Sequence, residues 1–186
     1  MKKIISIFLL VCFYQLAAAG IDTRKKNLEK RIRITADIVK VFPENGMAEL
    51  QISLLDKLKS VEQEYRSGTS ASVSHSLVQA ENELFLSEKK IMEYTETKAD
   101  RILQYLDQPV PPASALSAKS REKITSYERM ARKERILSAK YSREKQYYYA
   151  LLILKRSIRY SLSAMQERGE PIPTDFSKAA VWMQKK

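Results

Sequence analysis

Apolar side chains recur along most of the chain at the three- and four-residue spacing of an α-helix. The clearest case is the segment 45–66, where the apolar positions lie 3, 4, 4, 3 and 4 residues apart: Met47, Leu50, Leu54, Leu58, Val61 and Tyr65. This spacing places all of them on one helical face. The pattern predicts an amphipathic helix that ends at Ser67 and Gly68.

The segment before it, residues 22–42, fits two patterns. Residues at helical spacing are Leu28, Ile32, Thr35, Val39 and Phe42. Residues that alternate as in a β-strand are Ile32, Ile34, Ala36 and Ile38. Because the preceding residues 24–31 are polar and compatible with a helix, we favour the helix. A β-hairpin over residues 32–53, with its turn at residues 43–46, stays open as the alternative.

The next segment is small and polar, and it predicts a linker over residues 67–74, with Ser72 or Ser74 capping the helix that follows. That helix is predicted over residues 75–107, where two heptad rows run side by side. The rows are Leu77, Leu84, Ile91, Lys98 and Tyr105, and Val78, Phe85, Met92, Ala99 and Leu106. So wide an apolar face predicts burial against more than one neighbour.

The longest uninterrupted segment follows. Three prolines within residues 109–112 end the third helix, and Ser114 or Ser117 can start the next. Neither glycine nor proline occurs over residues 117–168. At 1.5 Å per residue, a helix of this length would be on the order of 75 Å long, so we expect an elongated protein.

The predicted fold is all-α: elongated helical hairpins in a coiled-coil-like bundle, with one very long helix near residues 117–168. Gly169, Pro171 and Pro173 predict the end of that helix. The predicted parts are residues 1–19 as a signal peptide, 20–66 as an N-terminal helical hairpin, 67–74 as a linker, 75–168 as a long antiparallel helical hairpin, and 169–186 as a C-terminal tail with a short helix.

The amino terminus has the layout of a secretory signal peptide. Lys2 and Lys3 precede an apolar run over residues 4–19, which ends in three alanines before Gly20. The run is shorter than the ~20 residues of a membrane span, although a retained anchor is the alternative. We therefore expect export, to the bacterial periplasm, with secretion or membrane anchoring as the other destinations.

Candidate catalytic chemistry is sparse. Cys12 is the only cysteine and lies in the predicted signal peptide, so the mature chain would have no thiol. His75 is the only histidine, and it lies at a serine-rich helix start where a capping or solvent role is expected. Glu81 and Glu88 share a helix face among lysines and arginines, which ordinary ion pairs explain. We predict no enzyme, no cofactor, no metal and no small-molecule substrate.

The charges are unevenly distributed. Lys and Arg against Asp and Glu give 14 − 5 = +9 over residues 119–168, but 4 − 7 = −3 over residues 75–107. One interpretation is that the acidic third helix lies antiparallel on the basic fourth. The other is that an unpaired basic surface attracts acidic partners: proteins, anionic lipid headgroups or an envelope surface. Nucleic acid is disfavoured, because no recognition signature is present.

The residues we predict to bind a partner are Tyr147, Tyr148, Tyr149, Arg143, Arg156, Arg159 and Trp182. Three consecutive tyrosines on a helix point about 100° apart, so at least one should be exposed. Tyrosine beside arginine is typical of binding hot spots. The alternative is a section buried nearly all round. For Trp182, we favour a terminal helix that folds back onto the bundle over a detached ligand-like peptide.

The predicted function is that of an exported structural or adaptor protein, which binds protein partners, associates with itself, or coats an envelope or appendage filament assembly. The small size, basic charge and predicted coiled-coil arms also resemble the general description of the Skp class of periplasmic holding chaperones. That resemblance implies a holding chaperone for outer-membrane proteins as the alternative. A trimer with a strand-rich core would favour the chaperone, and negligible strand would favour the adaptor.

Overall fold

The computed structural model describes residues 2–42, 46–108 and 116–184, and the side chains from residue 20 to residue 183 within these ranges. Every regular element in these ranges is helical, which confirms the all-α class. The elements are α1 (Lys2–Val41), α2 (Met47–Ser67), α3 (Ser70–Leu106), α4 (Ala118–Arg143), α5 (Tyr147–Glu167), a 3-10 helix (Thr174–Ala180) and α6 (Val181–Gln184).

The ambiguous segment is helical on both sides of its break. Helix α1 continues to Val41 and α2 begins at Met47, so the predicted helix is confirmed and the β-hairpin over residues 32–53 is wrong. Gly46, at φ 84°, takes the left-handed conformation directly before α2. The rest of the predicted turn, residues 43–45, lies outside the described residues.

Helix α3 begins earlier than the sequence predicted. It starts at Ser70, within the predicted linker 67–74, and the backbone N–H of Ser72 donates to Thr69 Oγ1 at 3.2 Å. Thr69 therefore caps the helix, and the predicted caps Ser72 and Ser74 are wrong. The physical reason is that serine and alanine are tolerated inside a helix once an earlier hydroxyl has satisfied its first N–H groups.

The one very long helix predicted near residues 117–168 is two helices, α4 and α5, separated by residues 144–146. Its predicted start is confirmed, since Ser117 Oγ accepts from the Ser120 N–H at 3.1 Å. The break is at Lys145, a non-glycine residue at φ 58°. The residue type at position 145 does not predict the end of a helix, because lysine is a good helix former. The turn forms because it lets α5 pack back against α4.

The chain divides into two compact units. The first comprises the chain up to Ile34 together with Glu49–Leu84. Its core joins α1, α2 and α3 through apolar residues: Leu28, Ile32, Leu54, Leu58, Val61, Val73, Leu77, Ala80 and Leu84. Ion pairs flank this core, with Arg24 bound to Glu81 at 2.6 Å and Lys57 to Glu83 at 2.8 Å. The apolar stripe predicted for α2 thus provides its share of this core.

The second unit comprises Thr35–Ala48 and the chain from Phe85 onward. Its fully buried side chains come mainly from α3 and α5: Ile91, Ile102, Leu151, Leu154, Ile158 and Leu162. The carboxyl-terminal tail folds back onto this unit, where Phe42 contacts Phe176 and Trp182 with ring centroids 5.8 and 5.6 Å apart. The tail is therefore part of the core of the second unit.

Acidic side chains of α3 and of Asp107, the residue directly after it, meet arginines of α4 within the second unit. Arg135 binds Asp100 through two hydrogen bonds of 2.5 and 2.8 Å and Glu96 at 2.8 Å, and Arg132 binds Asp107 at 2.6 Å. The hydrogen bonds to Asp100 raise the pKa of Arg135. Opposite charges on the third and fourth predicted helices are therefore paired on this flank of α4.

A buried arginine links the end of α5 to the end of α3 and to α4. Arg168, 4% exposed, donates to the carbonyl oxygens of Leu106 at 2.7 Å and Gln108 at 3.3 Å. It also binds the carboxylate of Glu128 on α4. These bonds satisfy carbonyls at the end of α3, which a helix leaves without partners of its own. Arg168 thus fixes the end of α5 against α3 and α4.

Candidate partner-binding surface

Helices α4 and α5 form an antiparallel hairpin whose one side carries a regular series of cross-helix pairs. Tyr127, Glu134 and Tyr141 are seven residues apart, so they lie on one flank of α4. On α5 their partners follow in the opposite order. The pairs are Tyr141 with Tyr149, Glu134 with Arg156, Tyr127 with Tyr160, and Lys123 with Glu167. We call these four pairs the tyrosine ladder.

Aromatic pairs make up two rungs of the ladder. The rings of Tyr141 and Tyr149 are 5.9 Å apart, and Tyr148 meets Tyr149 edge-on at 5.4 Å. The rings of Tyr127 and Tyr160 stack at 6.3 Å with an interplanar angle of 23°. These separations are within the range in which aromatic rings attract each other. The tyrosines therefore make favourable contacts with one another along this side of the hairpin.

Ion pairs make up the other two rungs. Arg156 Nη1 lies 3.8 Å from Glu134 Oε1, and Lys123 Nζ lies 2.8 Å from Glu167 Oε1. The hydrogen bond to Glu167 raises the pKa of Lys123. Each cation of the ladder is thus matched by a carboxylate. The ladder as a whole is electrically balanced, although α4 carries a large excess of basic residues.

Small buried residues beneath the ladder explain how its rungs can meet. Ala131 and Ala150 are fully buried, and Ser157 Oγ donates to the Ala131 carbonyl oxygen at 2.8 Å. A side chain as short as serine reaches the backbone of a neighbouring helix only when the two helices lie close together. The small residues therefore bring α4 and α5 near enough for their outer tyrosines to touch.

The ladder is accessible from solvent. Tyr149 is 53% exposed and Met130, one turn after Tyr127 on α4, is 38% exposed, whereas Tyr127, Tyr141 and Tyr160 are half-buried. Tyrosine, methionine and arginine are enriched in protein interfaces, since they provide large contact areas with a polar edge. Five of the eight ladder residues, the four tyrosines and Arg156, belong to these enriched types.

The three consecutive tyrosines point in three directions, as their spacing predicted. Tyr147 is 8% exposed and lies against Phe85, with ring centroids 5.0 Å apart, so it belongs to the core. Tyr148 is half-buried, and Tyr149 is a rung of the ladder. The alternative of a section buried all round is wrong for Tyr149. Tyr147 is correspondingly no part of the surface, because its ring fills the contact between α5 and α3.

The predicted arginines separate into two groups. Arg156 is a rung of the ladder, and Arg159 lies beside it with its guanidinium 5.1 Å from the centre of the Tyr160 ring. Arg143 is exposed at the end of α4 but lies outside the ladder. The structure thus places two of the three predicted arginines at or beside the ladder to which Tyr149 belongs.

Trp182 lies in the core of the second unit. It is 4% exposed, its ring packs against Phe42, and Lys155 Nζ lies 5.0 Å from the ring centre. Trp182 is therefore not on the candidate surface, and its position agrees with the preferred interpretation of a terminal helix that folds back onto the bundle, whereas its partner-binding role stays a prediction. The reason is that Phe42 and the stem of Lys155 provide an apolar site for the indole within the chain itself.

Sequence reasoning missed the α4 side of the ladder. Tyr127, Glu134 and Tyr141 repeat at a spacing of seven, which was visible in the sequence. In one continuous helix, however, each of these residues would lie two or more turns away from its partner on α5. Only the turn at Lys145 brings each of them next to its partner.

The remaining chemical features of the described residues are few. His75 is exposed on α3, where its ring nitrogen Nε2 lies 3.0 Å from Nε2 of Gln79. A cleft of about 580 Å³ in the second unit includes Arg101, Tyr105 and Asp175, and Arg101 pairs with Asp175 at 3.2 Å. Within the described residues, no group of three or more His, Cys, Asp or Glu side chains is arranged to hold a metal ion.

No helix among the described residues combines the length and the apolar character that a membrane crossing requires. No protein-family model matches the chain, and no significant match is found among curated proteins or solved structures.

Proposed function

We propose that this protein is an exported helical adaptor of a bacterial cell envelope, which binds protein partners, or coats an envelope or appendage filament assembly, through the tyrosine ladder. The observation that carries the proposal is the arrangement of the ladder itself: tyrosines and an arginine, electrically balanced and open to solvent along one side of a helical hairpin.

The dimensions of the ladder suit a protein partner. From Tyr149 to Glu167 it extends about 27 Å along α5, at 1.5 Å per residue. A standard protein interface buries about 800 Å² on each partner, a patch of comparable length. Because each cation is already paired with a carboxylate, a partner can cover the ladder without leaving an unmatched charge buried. The ladder therefore favours a protein surface rich in apolar and hydrogen-bonding groups.

The proposed location depends on the amino terminus. Two lysines followed by an apolar run and three alanines are typical of a secretory signal peptide. The absence of cysteine after residue 12 is compatible with any compartment, because the chain then has no thiol whose redox state matters.

A holding chaperone for outer-membrane proteins is the second candidate. The observation in its favour is a set of strongly exposed apolar side chains: Ile52 at 60%, Leu86 at 65% and Ile136 at 74%. Such residues can contact unfolded clients. Against it, the described residues contain no strand from which a β-rich oligomerisation body of the Skp type could form.

The test is crosslinking of the tagged protein in cells, followed by mass spectrometry of what is captured. We would compare the unchanged chain with the ladder variant Tyr149→Ala/Arg156→Ala. The matched control is Tyr65→Ala/Arg66→Ala, which removes the same two residue types from exposed positions on α2. Circular dichroism would show that all three proteins remain helical.

We expect one or two stoichiometric partners, or mainly the protein itself, and a loss of at least tenfold in capture for the ladder variant alone. Equal capture by the ladder variant and the unchanged chain would contradict the proposal. A broad spread of outer-membrane precursors, unaffected by the ladder variant, would favour the chaperone instead.

A further inference from the structure

A second surface lies on the outer side of α4. Its residues follow one another at spacings of 4, 3, 4 and 3, so they form a single helical stripe: Arg129, Lys133, Ile136, Lys140 and Arg143. All five are exposed. We call this stripe the outer basic face. It is distinct from the flank of α4 that carries the tyrosine ladder.

Three of the four cations on the outer basic face have no carboxylate partner among the described residues: Arg129, Lys133 and Arg143. The fourth, Lys140, lies 4.0 Å from Glu144, the residue directly after α4. The neighbouring flank of α4 differs, because Arg135 is paired with carboxylates of α3 and Arg132 with Asp107, the residue after α3. The basic excess of α4 is therefore concentrated on the outer face.

An apolar side chain lies in the middle of these cations. Ile136 is 74% exposed, the highest value among the large apolar side chains of the described residues. Together with Arg129 and Lys133 it lines a shallow depression of about 520 Å³. Exposure of a large aliphatic side chain to water is unfavourable, and burial of an isoleucine contributes to binding. The face thus combines an apolar centre with a charged rim.

We propose that the outer basic face binds an acidic helix of a protein partner, with carboxylates spaced to meet its cations and an apolar residue against Ile136. The chain itself shows this mode of contact on the next flank of α4. There, Glu96 and Asp100 of α3 bind Arg135, and Asp107, the residue directly after α3, binds Arg132. A second acidic helix can bind α4 from outside by the same contacts.

The composition of the face favours a carboxylate-bearing helix over a lipid surface. A membrane-surface helix inserts a broad apolar face, but the apolar positions of α4 such as Ile124 and Ala131 are buried within the fold. Ile136 alone does not form such a face. Two of the four cations are arginines, whose planar guanidinium matches a carboxylate through two hydrogen bonds.

The test measures binding of a synthetic helical peptide to the full-length protein, purified from the cells that express it. The peptide has glutamates at spacings of four and three around a central leucine, and is held helical by a covalent staple. A scrambled peptide of the same composition and staple is the first control. Fluorescence anisotropy gives the dissociation constant of each peptide at low and at physiological salt.

The variant to compare is Arg129→Glu/Lys133→Glu/Arg143→Glu. Its matched control is Lys26→Glu/Lys30→Glu/Arg33→Glu, which makes the same change in net charge at three exposed cations of α1. We expect at least tenfold weaker binding for the outer-face variant and less than twofold for the control. Ile136→Ala, which alters no charge, should weaken binding about threefold, because the buried apolar contact is reduced.

Equal affinity for the scrambled peptide, or equal losses in both charge-reversal variants, would overturn the inference, because binding would then depend on net charge alone. Vesicles with a third of anionic lipid that bind more tightly than the peptide, with the same dependence on the three cations, would also overturn it in favour of a lipid surface. The ladder variant Tyr149→Ala/Arg156→Ala should bind the peptide normally, so failure here and failure of the proposed adaptor function are distinguishable.

Discussion

Helices α4 and α5 end in the same hydrogen-bonded turn, although different residues occupy it. At the end of α4, the N–H groups of Gln146 and Lys145 donate to the carbonyls of Tyr141 and Ser142 at 2.8 and 3.0 Å. At the end of α5, the N–H groups of Glu170 and Gly169 donate to the carbonyls five and three residues earlier, both at 3.0 Å. This is the Schellman pattern in both places.

The residue at the left-handed position distinguishes the two turns. Gly169, at φ 73°, adopts this conformation without steric strain, since it has no Cβ. Lys145, at φ 58°, does so at a cost of roughly 1–2 kcal/mol. The turn at Gly169 is favoured by the local sequence, whereas the turn at Lys145 must be stabilised by contacts made elsewhere. Two identical turns can therefore have different physical origins.

Packing of α5 on α4 provides the stabilisation at Lys145. Leu154 and Ala150 of α5 and Ala131 of α4 are fully buried, and Ser157 donates to the backbone of α4. Burial of a single leucine side chain contributes roughly 1.5–3 kcal/mol, which by itself offsets the strain of one left-handed lysine. Tertiary contacts thus determine where α4 ends.

The largest expected effect is on the distance between the ends of the hairpin. Spin labels at the exposed positions Arg121 and Gln166, with Cys12 replaced by serine, would be about 68 Å apart in one continuous helix. In the antiparallel hairpin they should be less than about 35 Å apart, because packed helix axes are separated by 8–10 Å. Pulsed electron spin resonance measures either distance. A value above 60 Å would show that Lys145 does not turn the chain.

The next largest effect concerns the residues that precede the two left-handed positions. Arg168→Ala should lower the free energy of unfolding by about 3 kcal/mol, because it leaves the Leu106 and Gln108 carbonyls and the Glu128 carboxylate without their buried partner. Glu144→Ala, at the equivalent position of the other turn, should change it by less than about 0.5 kcal/mol, since that side chain is 43% exposed. Urea denaturation compares the two variants. Similar losses would mean that Arg168 does not anchor the helix ends.

The smallest effect is at the left-handed positions themselves, and its sign differs between them. Gly169→Ala should destabilise by about 1 kcal/mol through strain alone, because nothing lies within 4 Å of an added Cβ. Lys145→Gly should stabilise by about 0.5 kcal/mol, since relief of strain exceeds the added freedom of the unfolded chain. Lys140→Gly, inside α4, is the matched control and should destabilise by about 1 kcal/mol. If Lys145→Gly behaved like this control, residue 145 would be helical.

The same contrast explains what the sequence could predict of the fold. Apolar spacing located the helices, and Gly68 and Gly169 marked two of the breaks because glycine favours chain turns locally. The break at Lys145 could not be predicted, because it depends on contacts between residues far apart in the chain. The cap at Thr69 was missed for a smaller reason: several hydroxyl residues follow one another there, and any of them can serve.

The candidate surface was predictable only on α5. Tyr149, Arg156 and Arg159 were identified because tyrosine next to arginine is typical of interfaces. Tyr127 and Tyr141 lie on the same surface only because the chain turns at Lys145. Their part in the surface could therefore not be predicted, for the same reason that the break itself could not. Local spacing also does not reveal which of three adjacent tyrosines is buried, since that depends on the position of Phe85.

The docked carboxyl-terminal segment has an optical consequence. Trp182 is the only tryptophan of the chain and is held between Phe42 and Lys155. An indole in such a site emits at shorter wavelength than one in water, so fluorescence follows the attachment of the last helical turn. Local opening of this segment would shift the emission to the red while the circular dichroism of the bundle stays constant. The chain therefore contains an intrinsic probe that separates release of its tail from unfolding.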